Sequence, residues 1–63
     1  MEIKIDIWKN GGKWYTTEEA LVESTDEIDS LMNNYPKCSG MIATVYYYVE
    51  KEAYYQPYRM FQL

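Results

Sequence analysis

The chain contains no histidine and only one cysteine, Cys38. Without an imidazole there is no Ser-His or Cys-His pair in which a base takes the nucleophile's proton. One thiol can neither close an internal disulfide nor supply the nitrogen and sulfur donors of a four-ligand zinc site. Lys37 stands next to Cys38 and could favour its thiolate, but with no base the thiol reads as a bystander. Glycine is scarce as well, with three residues, and Gly11-Gly12 has none of the neighbours of a phosphate-binding loop. The EF-hand pattern is missing. Carboxylates do occur in pairs, but 63 residues give little depth for a cleft that would split their pKa values. The chain is therefore expected to be non-enzymatic and to need no cofactor and no metal.

Basic residues are few. Six Lys and Arg face ten Asp and Glu, a net charge of −4. Binding to nucleic acid draws on Lys and Arg to displace counterions, so direct nucleic-acid binding is disfavoured, and anionic membrane surfaces with it. No apolar run approaches the ~20 residues that span a bilayer. Met1-Glu2-Ile3-Lys4 lacks the basic start and apolar stretch of a secretory signal. With a lone free cysteine, the cytoplasm is the expected compartment.

Aromatic residues are plentiful: eight Tyr, two Trp and one Phe. A chain this short buries only about 60% of the surface its unfolded form exposes. Large rings are the means left for packing, since each can remove ~150–250 Å² from water. The apolar fraction of 48% and charged fraction of 25% are those of a globular domain rather than a disordered chain.

Ile3, Ile5 and Ile7 alternate with Lys4, Asp6 and Trp8, the period of a strand. Asn10-Gly11-Gly12 then predicts a hairpin turn, and a second strand begins near Lys13. Two readings cover the next stretch. One long helix from Thr16 to Tyr35 would place Leu21, Ile28, Leu31, Met32 and Tyr35 on one stripe, with Thr16 and Glu19 as a capping box. The preferred reading extends the second strand to about Glu23 and starts a shorter helix near Thr25. Ser24 and Glu27 then have capping-box spacing, and Pro36 ends the helix after Tyr35. Lys37-Cys38-Ser39-Gly40 is a loop. Met41–Val49 is dense in β formers, Glu50-Lys51-Glu52 is a polar turn, and Ala53–Leu63 is a last strand placed at an edge by Pro57. The expected fold is α+β: a single ββαββ domain over residues 1–63, a four-stranded antiparallel sheet with one helix on one face.

One helix covers one side of such a sheet. Strict alternation assigns Ile3, Ile5, Ile7, Ala43, Val45 and Tyr47 to the helix side, with Tyr55, Arg59 and Phe61 from the last strand. The opposite face then collects Trp8, Tyr46, Tyr48, Tyr54 and Tyr58. These rings either stabilise the sheet as cross-strand pairs or form a docking face, since Tyr and Trp anchor protein interfaces. A second copy of the chain is one partner such a face could take, giving a homodimer.

Between Lys13 and Lys37 there is no basic residue, while Glu18, Glu19, Glu23, Asp26, Glu27 and Asp29 all lie there. Either the helical ones complement the positive helix end and the others are solvated, or the set is a negative patch that docks on a basic groove. Small size, acidity, one ββαββ-like unit and no catalytic motif make the chain similar to small phage- and plasmid-borne inhibitors of the anti-CRISPR type. Ile3–Trp8, Asn10-Gly11-Gly12, Ser24–Tyr35 and Met41–Leu63 carry that likeness as a pattern. The resemblance implies stoichiometric binding to a host defence complex that handles nucleic acid, in the host cytoplasm. It assigns no role to any single residue.

Overall fold

The computed structural model describes residues 1–36 and 40–63. The expected loop around Lys37 and Cys38, and the reading of that thiol, fall outside the described residues except for Gly40. Two hairpins flank one helix: β1 (Glu2–Lys9), β2 (Lys13–Leu21), α1 (Thr25–Asn33), β3 (Ile42–Val49) and β4 (Tyr54–Gln62). All neighbours are antiparallel, and the sheet order is β2-β1-β3-β4. The helical connection thus carries the chain over one face of the sheet, and β3 pairs with β1.

Gly11 and Gly12 turn the first hairpin at φ of 87° and 79°, a region closed to most side chains. The isoleucines of β1 supply the centre of the core. Ile3, Ile5 and Ile7 are buried against Ala43 and Val45 of β3 and against Ile28 and Met32 of α1, with Val22 closing one end. Ile3, Ile5, Ile28 and Val45 are under 2% exposed. Each such aliphatic residue contributes about 1.5–3 kcal/mol by burial.

The helix begins at Thr25, which decides between the two sequence readings. Thr16 to Leu21 is strand, and β1 pairs with it residue by residue. Leu21, on the stripe of the longer helix, is 79% exposed at the end of β2. Neither bond of the expected capping box forms. Ser24 is the N-cap in extended conformation, but its side chain makes no capping bond. The Glu27 carboxylate instead accepts the Glu23 backbone N–H at 2.8 Å. At the other end, Asn34 N–H and Tyr35 N–H donate to Leu31 and Met32 carbonyls, and Pro36 follows. The helix is therefore two residues shorter than expected, and β2 also stops two residues earlier, at Leu21.

β4 departs from simple alternation. Val45 pairs with Arg59, but Tyr46 pairs with Pro57, so Tyr58 is an extra residue in the strand. This bulge shifts the period by one, and the residues before it exchange faces. Tyr58 turns to the helix side, where it packs against the core and its hydroxyl donates to Asp29 of α1 at 3.1 Å. Tyr54 pairs with Val49 on that same side, and Tyr55 pairs with Tyr48 on the opposite one. The assignment of Tyr54 and Tyr58 to the open face and of Tyr55 to the core is thus corrected.

Candidate functional site

The face of the sheet away from α1 is covered by no element among the described residues. Cross-strand register arranges it in rows. Trp14, Trp8, Ile42 and Gln62 form the row nearest the first turn, followed by Thr17, Asp6, Thr44 and Met60, and then by Glu19, Lys4, Tyr46 and Pro57. At the far end Tyr48 lies beside Tyr55, whose hydroxyl donates to the Glu2 carboxylate at 3.2 Å.

The end near the turn is apolar. Trp14 is 59% exposed and Met60 67%, with Ile42 and Trp8 between them. Trp14 is tethered through its polar edge despite that exposure. Its indole N–H donates to Thr17 Oγ1 at 2.9 Å, and the Thr17 hydroxyl donates to Asp6 Oδ1 at 2.6 Å. This relay holds the ring in place before any partner arrives, which lowers the entropy lost on binding. Trp8, Ile42, Thr44 and Met60 also line a shallow hollow of about 250 Å³ beside Gly11, Gly12 and Gly40.

The other half of the face is built from rings around one cation. Lys4 Nζ sits 5.0 Å from the Tyr46 ring centre and 4.8 Å from that of Tyr55. Tyr48 and Tyr55 meet edge to face with centres 5.2 Å apart. Partial burial, then the hydrogen bond and negative charge of Glu2, raise the Tyr55 pKa above its ordinary value of 10.0. A larger hollow of about 610 Å³ opens at this end, between Leu21, Tyr48, Val49 and the chain start. Glu2, Tyr47 and Glu50 also line it.

The acidic residues are dispersed. Glu19 lies on the open face opposite Lys4, whereas Glu18 lies opposite Ile5 on the helix side. Asp26 and Glu27 occupy the first turn of α1, with Glu23 just before it. Asp29 is engaged by Tyr58 and by Arg59, whose Nη1 is 3.3 Å from Oδ1. The six carboxylates expected to act together therefore fall on both sides of the sheet. Among the described residues no group of three or more His, Cys, Asp or Glu side chains is placed to hold a metal ion, and no helix is long and apolar enough to cross a membrane.

Of the expected aromatic set, the structure brings Trp8, Tyr46 and Tyr48 together on the open face. It adds Trp14, Tyr55 and the ring-flanked Lys4. Trp14 was legible in the mirror-like Trp8-Lys9-Asn10-Gly11-Gly12-Lys13-Trp14, which folds the two indoles opposite each other once the turn is placed. No family model, no curated protein and no solved structure matches this chain.

Proposed function

We propose that the chain is a non-enzymatic binding protein of the inhibitor or adaptor kind, engaging a protein partner stoichiometrically through the open sheet face. The observation that carries this is Trp14: an indole more than half exposed, on an uncovered face, yet held by Thr17 and Asp6. A rigid exposed ring flanked by Trp8, Ile42 and Met60 is the composition of an interface centre, with the charged and hydroxyl-bearing residues as its rim. A different protein suits the face better than a second copy. Glu2, Asp6 and Glu19 against Lys4 give the face a net charge of −2, so stacking two such faces opposes like charge.

The likeness to anti-CRISPR-type proteins directs the search for that partner to nuclease complexes of bacterial defence, held in the cytoplasm. The test is a titration of purified defence nucleases of this kind with the chain, read as loss of target cleavage. Inhibition complete at one chain per complex, and lost in Trp14→Ser while that variant keeps its circular dichroism, supports the reading. Undiminished inhibition by Trp14→Ser and by Tyr48→Ser removes the open face from it. Light scattering across concentration reports the self-associated alternative, a dimer that the same Trp14→Ser substitution would dissolve.

A further inference from the structure

The two edges of this sheet are not equivalent. Met1 and Val22 exchange both backbone hydrogen bonds, N–H of Val22 to the Met1 carbonyl at 2.8 Å and the Met1 amino group to the Val22 carbonyl at 2.6 Å. Antiparallel ladders alternate bonded and unbonded pairs. The regular register from Glu2 to Ile7 then makes Ile3–Ala20, Ile5–Glu18 and Ile7–Thr16 the bonded pairs. Thr17, Glu19 and Leu21 consequently aim their backbone N–H and C=O groups away from β1, along a regular edge that pairs with no other strand among the described residues.

The same count can be made on β4. Leu63 N–H donates to the Met41 carbonyl, so Tyr55, Pro57, Met60 and Gln62 face outward there. Pro57 has no N–H to offer, and the extra residue Tyr58 breaks the spacing. β4 is thus blunted through its middle by its backbone, whereas β2, whose own extra residue is Tyr15, is regular from Thr16 to Leu21. What guards that regular stretch is charge, in Glu18 and Glu19, both exposed.

Charge discriminates between partners where a missing donor would refuse them all. When the regular stretches Thr17–Leu21 of two β2 edges pair about a two-fold axis, the register of greatest overlap sets Glu19 against its own copy. Like charges directly opposed are unfavourable across strands, and opposite ones favourable. We propose that the β2 edge from Thr17 to Leu21 takes an extended strand of another protein that carries Lys or Arg opposite Glu18 and Glu19. Its backbone meets the outward groups of Thr17, Glu19 and Leu21, and an apolar side chain covers Leu21, now 79% exposed.

This goes beyond the open-face reading and does not depend on it, because the two are read from different nuclei: backbone amides of β2 here, the Trp8 and Trp14 indoles there. The experiment is an NMR titration of the labelled chain with the capped hexapeptide Val-Thr-Lys-Arg-Thr-Val, and separately with Val-Thr-Glu-Glu-Thr-Val, each to millimolar concentration. The basic peptide is expected to shift the amides of Thr17, Glu19 and Leu21 and to slow their exchange, leaving Tyr55 and Met60 on the β4 edge unchanged. The acidic peptide is expected to do neither. In the double variant Glu18→Gln, Glu19→Gln the basic peptide binds about two- to thirtyfold more weakly, with exchange protection at Ile5 reporting an intact sheet. No response at the three β2 amides, an equal response to both peptides, an unaltered affinity in the double variant, or a response confined to β4 overturns the proposal.

Discussion

Tyr58 reaches across the layer between sheet and helix, and its hydroxyl donates to Asp29 Oδ1 at 3.1 Å. Arg59, the next residue, bonds the same oxygen at 3.3 Å. Two consecutive strand residues can address one helix carboxylate only because the β4 bulge turns both toward α1. The Asp29 and Arg59 side chains are 38% and 57% exposed, so their ion pair alone contributes about 0–1 kcal/mol. The partly buried tyrosine hydroxyl adds the larger share. Asp29→Ala is expected to cost about 1–2 kcal/mol in chemical denaturation. Arg59→Ala is expected to cost less than half of that.

The second hairpin turns on Ala53, the only non-glycine residue at positive φ (56°) among those described. A Cβ in this region costs roughly 1–2 kcal/mol, and glycine avoids it. Glycine also gains freedom in the unfolded chain, which offsets part of the relief. Ala53→Gly should therefore stabilise the protein by about 0.5–1 kcal/mol, seen as a higher melting temperature.

Most of the scaffold could be read from local chemistry. The alternation of Ile3, Ile5 and Ile7, the Asn10-Gly11-Gly12 turn and the run Glu23-Ser24-Thr25-Asp26 each point to the element that forms there. Thr16 to Leu21 admitted a helix because Leu21 shares a helical stripe with Ile28, Leu31, Met32 and Tyr35, and Thr16 and Glu19 have capping-box spacing. Its fate was settled by pairing with β1, a long-range effect that no local window contains. The faces of the β4 residues up to Tyr58 were illegible for a different reason. Pro57 signals an irregularity near its own position, but counting by two fails as soon as one residue is inserted, and sequence alone does not say where the insertion falls. That single residue moved Tyr58 and Tyr54 to the helix side and brought Tyr55 to the open face.

Tyr35 lies at the C-terminal end of the helix, half-buried, and its hydroxyl has no hydrogen-bond partner among the described residues. A buried polar atom without a partner costs about 1–3 kcal/mol. Tyr35→Phe removes the atom and keeps the ring. The expected result is a gain of up to about 1 kcal/mol in denaturant unfolding. A loss on that substitution would mean that the hydroxyl does have a partner in the folded chain.

Tyr55 links the open face to pH. Its pKa is raised in the folded state, first by partial burial and then by Glu2, with a smaller push from Glu19. A raised pKa means that the folded state holds the proton more tightly than the unfolded one. The associated stability is complete below tyrosine's ordinary value of 10.0 and is lost as pH climbs from there through the higher native pKa. A titration of ring-labelled tyrosines by NMR should therefore show Tyr55 ionising above the ordinary value. In Glu2→Gln the neighbouring charge is gone, so the Tyr55 titration should move back toward that value and the alkaline loss of stability should become shallower. Identical Tyr55 curves in the two proteins would separate the shift from Glu2 and leave burial as its cause. Ionisation of Tyr55 also sets a phenolate beside Glu2 on the open face, so affinity there should fall over the same alkaline range.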